Sequence, residues 1–496
     1  MRKNVTILFI ILGLLSISCL VTHKLSVKAN PGTIYVSPGS SIQVAINSAN
    51  PGDTVFVFKG TYSEQIIVNN SIYLIGEDVE ATIIDGFGSG TVINVTANSV
   101  VVKGFTIRNS GIGTGDSAIL IESYIGNVIS NNKIVNNKVG IIVSTSYNNI
   151  ISNNTISNND EAGMYFYSSG DNVVTGNVIT NNNYYGIKFH SSTNNLISDN
   201  TISFNRLGVY LYFHSSSNIF YHNNFDNTNQ TTSSETTNAW NYDGEGNYWR
   251  DYTGPDLDND GIGDTPYTID PTNRDNFPLM GPFSVFNINL EQKAYQVAFV
   301  SNSTISAFRF EIGAETGNQI LRFNATGQNN TVGFCRVAIP MELMNYPFIV
   351  TVDTEEVVPT LLSVSNETYR YIYFKFFNSL RAISIISSRT LYLYDELLGQ
   401  FSGLQTGLYN LNMTYYELLY NYTALMENYS LLQEVYQALN SSYQEHLSNY
   451  SEDMDNFRNL TYIFAATTAI FLATTVYLSK RAHTGLTSRK GVAEEK

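Results

Sequence analysis

The chain has 496 residues, 14% of them charged, with 27 Lys and Arg against 42 Asp and Glu for a net charge of −15. A chain this long exceeds one ordinary domain, and the acidic balance excludes broad contact with a nucleic-acid backbone, which needs clustered cations. Its two cysteines, Cys19 in an apolar leader and Cys335, offer no disulfide framework.

Arg2 and Lys3 precede an apolar run from Val5 to Val21, which predicts a signal peptide or N-terminal anchor over residues 1–29. Ile42, Ala45, Ile46 and Ala49 then recur at helical spacing behind Ser40 or Ser41 as N-cap. A short helix there would cover an open sheet end, which otherwise invites pairing with other chains. The segments GDTVFVFKGTYSEQIIV, SIYLIGE, TIIDG and VVVKGFTIRNS follow as strands.

A repeat begins at Asn127 and recurs at Asn149, Asn172, Asn195 and Asn218, at spacings of 22, 23, 23 and 23. Five residues into each unit stands another Asn, at Asn132, Asn154, Asn177, Asn200 and Asn223. Apolar residues recur two and seven residues in, and a Gly recurs at Gly140, Gly163, Gly186 and Gly208. A fixed period of this length predicts a solenoid. The unit is too short for two helices, and its Ile, Val, Tyr and Phe alternate with polar residues as strands do. Three short strands per coil use up the period, coils stack about 4.8 Å apart, and equivalent Asn side chains form ladders. Crossover chirality makes the solenoid right-handed. Leucine-rich repeats compete with this, but their L-x-x-L-x-L pattern is missing.

SIQVAINSANPGDTVFVFKGTYSEQIIVNNSIYLIGE, the IIDG and GFTIRNSG segments and the N-x-I-x-x-N coils together resemble NosD-type proteins. The GNYWRDYTGPDLDNDGIGDTPYTID segment resembles the closing segment of such helices. The resemblance covers about Thr33 to Pro282 and implies a right-handed parallel β-helix over residues 33–282. It also implies periplasmic copper binding or a carbohydrate-binding and sugar-hydrolysis role. Nothing downstream suggests copper delivery, so copper is not expected.

Within the coils, His190 and His214 lie in the similar strings KFHSS and YFHSS, with Tyr167 of YFYSS in the same series. Stacked one coil apart, the two imidazoles would suit copper or zinc, although Tyr167 points to an aromatic ladder instead. Tyr184, Tyr185, Tyr210 and Tyr212 are candidates for stacking on sugar rings. Carboxylates are sparse: Asp160, Glu161, Asp171 and Asp199, with Arg206 as a base. The N-T-D, D-D, G-H-G and R-I-K motifs of polygalacturonases and the D-P-H-D of alginate epimerases are missing. No catalytic residue is assigned, and binding is favoured over catalysis.

Asp256, Asp258, Asp260, the carbonyl of Ile262, and Asp264 occupy positions one, three, five, seven and nine of a calcium-type loop, with Gly261 at six. Position twelve is Tyr267 rather than Glu, so affinity is modest unless Asp270 or another carboxylate completes the shell. Residues 284–390 lose the repeat and read as a β-sandwich, resembling small immunoglobulin-like modules of archaeal surface proteins. From Leu411 to Tyr443, Leu and Tyr alternate at steps of four and three, and after one stutter the seam resumes through Leu447 to Phe457. This predicts a coiled-coil stalk over 391–459 and a homo-oligomer through it, although a single helix lying on the sandwich competes.

Leu460 to Leu478 is uncharged and long enough to cross a bilayer core of about 30 Å. Lys480, Arg481, Arg489 and Lys490 follow, which places the 479–496 tail in the cytoplasm and the bulk of the chain outside. Fifteen N-x-S/T sequons are present, and six crowd Asn412, Asn421, Asn428, Asn440, Asn449 and Asn459, which suits an exported, glycosylated stalk. The sequence therefore predicts a membrane-anchored surface protein with a structural, adhesive or glycan-binding role. A polysaccharide lyase, hydrolase or epimerase is the alternative from another class, and copper handling the third.

Overall fold

The structure is a computed structural model that describes residues 31–234, 236–449 and 454–487. The expected leader and the second half of the expected tail, with Arg489 and Lys490, lie outside the described residues. The chain divides into two units, Met1–Tyr394 and Asp395–Lys496.

The first unit opens with a parallel β-helix. Among the described residues its strands form three sheets of nine, eight and nine strands. Register is kept from coil to coil: Val128 faces Ile150, Ile150 faces Val173, Val173 faces Leu196, and Leu196 faces Ile219. Most strands are only three to six residues long, because a corner interrupts each. At the corner one residue takes a left-handed conformation and the next points into the core. Asn131, Asn136, Asn148, Asn153, Asn158, Asn181 and Asn194 hold φ between 53° and 58°. Asn and Gly tolerate this conformation better than other residues. Each is followed by a buried Asn.

Those buried Asn residues, with the half-buried Asn227, form three columns, where the spacing had shown two. One runs Asn127, Asn149, Asn172, Asn195, Asn218; the second Asn132, Asn154, Asn177, Asn200, Asn223, Asn247; the third Asn137, Asn159, Asn182, Asn205, Asn227. Each link repeats one pattern. Asn154 donates its backbone N–H and its Nδ2 to Asn177 Oδ1, at 2.9 and 3.0 Å, and Nδ2 also donates to Ile129 O at 2.8 Å. The columns satisfy the backbone at corners, where no strand ladder reaches. Inside them, Ile129, Ile151, Val174, Ile197 and Phe220 stack as fully buried layers, as do Ile134, Ile156, Ile179, Ile202 and Phe225.

Both ends of the core are covered. Helix α1 (Ile42–Ser48) lies over the first coil, with Ser41 as N-cap accepting the Val44 N–H. Glu64 receives the Ile42 N–H at 2.6 Å. At the other end Trp240 stacks on Phe220 at 4.3 Å, Trp249 on Phe225 at 4.4 Å, and Tyr267 on Trp249 at 4.3 Å. The aromatic strings after the last coil thus supply flat plates that close the solenoid.

Residues 283–387 form two five-stranded antiparallel sheets with a shared apolar core that includes Val297, Leu321, Val337, Ile372 and Ile385. The first sandwich strand, Phe283–Leu290, is fixed to the β-helix. Asn224 donates Nδ2 to Phe283 O at 2.8 Å and accepts its N–H at 2.7 Å.

Helix α2 spans Arg389–Asn449, so it begins in the first unit and runs on from Asp395 in the second, which also holds α3 over Met454–Thr487. Leu411, Tyr415, Leu418, Tyr422, Leu425, Tyr429, Leu432 and Tyr436 of the heptad seam are exposed. Asn412, Asn421, Asn428 and Asn440 are exposed on the same helix. Leu460–Arg481, with a mean hydropathy of 1.5, is long and apolar enough to cross a membrane.

Candidate functional site

The outer face of the middle sheet is built from six-residue strands whose alternate side chains leave the core. In register, Ile142, Tyr165, Lys188 and Tyr210 form one outward column, and Ser144, Tyr167, His190 and Tyr212 the next. Aromatic rings collect there because one position per strand repeats every coil. Tyr185 and Tyr210 stack at 5.4 Å, Tyr210 and Tyr212 at 4.7 Å, and Tyr167 and His190 at 4.8 Å. Lys188 sits among them, 4.5 Å from the Tyr165 ring centre and 5.4 Å from that of Tyr185, and pairs with Glu161 at 3.2 Å. Burial, with the neighbouring Tyr212 hydroxyl, pushes the Tyr165 phenol well up, so it remains a neutral donor.

Of the four tyrosines singled out on the sequence, Tyr184 is the most open, 48% exposed, with the Arg206 guanidinium 5.8 Å from its ring centre. Tyr185, Tyr210 and Tyr212 are half-buried by stacking on one another.

The expected pairing of His190 with His214 is corrected. His190 lies opposite Tyr212, between the rings of Tyr167 and Tyr212. His214 sits instead at the next corner, left-handed with φ 59°, just before Ser215. The buried serines Ser146, Ser169, Ser192 and Ser215 stack as a column, and this coil has one more residue between strand and serine than its neighbours. That insertion, at Phe213, breaks the alignment that KFHSS and YFHSS suggest. The two imidazoles therefore form no pair.

The acidic loop lies beside the closing plates. Asp256, Asp258 and Asp260 each offer a carboxylate oxygen, all within 4.8 Å of one another. Asp256 accepts the backbone N–H groups of Asp260 and Gly261, and Asp260 accepts that of Ile262. Asp264 turns to the Leu257 N–H at 2.6 Å, and Asp270 to Thr272 and Asn273. Burial raises the carboxyls of Asp256 and Asp260 above the ordinary Asp range, and the charge of Asp258 adds to both shifts.

A buried ionic chain, which the sequence did not reveal, joins the last coil to the sandwich. His222 Nε2 lies 2.7 Å from Glu245 Oε2, and His222 Nδ1 lies 3.6 Å from Asp199 Oδ1. Glu245 also pairs with Arg336, a sandwich residue whose side chain is only 3% exposed. Arg336 donates to the Asp260 carbonyl at 2.8 Å and lies over the Tyr371 ring. His222 stacks on Phe283 at 3.9 Å. Because the two carboxylates face opposite ring nitrogens, they do not converge on one metal ion. The residues are scattered across four segments, so no spacing announces them.

A family model described as "Periplasmic copper-binding protein (NosD)" matches residues 46–254. No curated protein matches the chain. Among solved structures, the periplasmic alginate epimerase AlgG is 17% identical, over 41% of this chain and 53% of that one, with a TM-score of 0.33. An alginate lyase from Paenibacillus sp. str. FPU-7 is 14% identical, over 44% and 97%, with a TM-score of 0.32. The Dettilon tailspike protein is 11% identical, over 71% and 93%, with a TM-score of 0.30. This chain thus matches about half the length of the epimerase. These values are low, and the β-helix assignment rests on the register of this chain's own strands. Copper fits poorly. Among the described residues the one cluster of three or more potential ligands is Asp256, Asp258 and Asp260, an all-oxygen set that suits hard cations rather than copper.

Proposed function

We propose that the protein is a cell-surface glycan-binding component, anchored by Leu460–Arg481 with its bulk outside and its C-terminus in the cytoplasm. The observation that carries this reading is the solvent-facing aromatic array of Tyr165, Tyr167, Tyr184, Tyr185, Tyr210 and Tyr212 around Lys188. Tyrosine offers a flat apolar face to a sugar ring and a hydroxyl to its rim. The array is pre-packed, so little side-chain freedom is lost on binding. A glycan array probed with the full chain tests this. Binding of at least one glycan class, weakened about ten-fold in Tyr184→Ala with Tyr167→Ala, is expected. Absence of binding to any glycan, or indifference to the double substitution, would overturn it.

Calcium is the cation the acidic loop suits, with carboxylates from Asp256, Asp258 and Asp260. Its role would be structural: three like charges repel when no cation is present, and the loop touches the sandwich through Arg336 and through Lys375 on Asn259. An ion that binds the folded form alone stabilises it. Calcium should therefore raise the melting temperature of the full chain, and Asp258→Ala with Asp260→Ala should abolish the rise. An unchanged melting temperature on adding calcium or chelator sinks this assignment.

A further inference from the structure

A groove of about 560 Å³ lies between the last coils and the sandwich, away from the tyrosine array. Its coil side is one column of corner residues, Asn153, Gly176, Asp199 and His222, all left-handed with φ of 55°, 67°, 59° and 57°. Gly176 is the member without a side chain, and a Cβ there would lie 2.5 Å from Asn153 Oδ1. The Asn153 carboxamide therefore leans over Gly176, where no side chain competes with it. The sandwich side contributes Gln296, Tyr369 and Tyr371.

The charges in the groove are already paired. His222 is held by Asp199 and Glu245, and Arg336 by Glu245 and the Asp260 carbonyl. Asp199 also accepts from Thr175 and Ser198, at 3.1 and 2.9 Å. No cation lining the groove is left over for an anionic ligand, and Asp199 would repel one. The polar groups without a side-chain partner among the described residues are neutral: the Asn153 carboxamide and the Ser284, Tyr369 and Tyr371 hydroxyls. The corner column that lines the coil side itself repeats about every 4.8 Å along the axis. Ligand sites favour such clefts between packed domains.

We propose that this groove binds a neutral, hydroxyl-rich sugar chain lying along the β-helix axis, with one ring between the Asn153 carboxamide and Tyr371. The assignment rests on the glycan-binding reading but adds a second site and a ligand class, and it excludes uronate chains from that site. Calorimetry of the full chain in detergent, with cellohexaose, mannohexaose and an oligomannuronate of equal length, tests it. The variants are Asn153→Gly, which keeps the corner conformation, and Tyr371→Phe, which removes only a hydroxyl. At least one neutral hexasaccharide should bind, about ten-fold more weakly in either variant and unchanged in Tyr184→Ala. Binding that is lost in Tyr184→Ala yet untouched by the groove variants overturns the groove and leaves the broader reading standing. Oligomannuronate binding that depends on Asn153 overturns the ligand class. Absence of binding by all three probes overturns the groove proposal.

Discussion

Asn177 lies in mid-column, fully buried, and its carboxamide is used completely. Oδ1 accepts from the N–H and Nδ2 of Asn154, and Nδ2 donates to Ile151 O, Thr175 O and Asn200 Oδ1. Asn177→Ala strands the Asn154 N–H and the Ile151 carbonyl in the core, which should cost about 3 kcal/mol in chemical denaturation. Asn127, at the head of its column, has an Nδ2 with no partner, so Asn127→Ala should cost less. Equal costs would show that the columns are not cooperative supports. The first two columns were legible because each recurs every 22–23 residues beside an Ile or Val. The third, Asn137 to Asn227, recurs at 22, 23, 23 and 22 and carried the same signal, so spacing alone could have found it.

The joint between β-helix and sandwich has a pH signature. Burial alone would lower the His222 pKa, but hydrogen bonds and charge from Asp199 and Glu245 outweigh it and raise it above the ordinary 6.5. Burial alone would raise Glu245, but His222 and Arg336 outweigh it and bring it from an ordinary 4.5 down to about 2. The signs follow from linkage. The His222 contribution is complete below about pH 6.5 and fades as pH rises through the folded value. The Glu245 contribution is complete above about pH 4.5 and fades toward pH 2. The pair should therefore support the fold best between these limits. Melting temperatures of His222→Gln and the parent, compared from pH 5 to 9, should converge as pH rises; a constant gap would show that His222 acts by packing on Phe283 alone. None of this was legible in the sequence, because Asp199, His222, Glu245 and Arg336 meet only when two domains dock. The strand runs of the sandwich were legible, since their alternation is local.

At the scale of the whole chain, α2 carries its Leu and Tyr seam in the open. A long apolar stripe of heptad spacing is the pattern of a helix that packs against copies of itself. Leu418→Ala with Leu425→Ala and Leu432→Ala should lower the oligomeric mass seen by light scattering in detergent. An unchanged mass would leave the stripe without a role in self-association. The apolar span of α3 was legible from composition alone, because a bilayer demands length and lack of charge but no particular order of residues.

The asparagine columns also have a direction. Every link donates from one coil to the next, so the carboxamide dipoles point one way and leave positive poles at the end nearer the sandwich. The first column continues from Asn218 through Asn238 to Asn273, and the second ends at Asn247; both of these poles meet an aspartate. Asn247 donates its N–H to Asp275 at 2.7 Å, and Asn273 donates its N–H and Nδ2 to Asp270 at 2.9 and 2.8 Å. An anion at a positive pole is favourable, as at a helix N-terminus. Burial pushes the Asp275 carboxyl up to about 6, against the hydrogen bonds of Trp249 and Asn247. Above that pH it accepts and has nothing to pass on. The solenoid is thus an arrow with a stop: a duplicate of residues 172–194 inserted before Asn195 continues the one-way relay and should fold, whereas the same coil inserted after Asp275 meets a terminus that donates nothing.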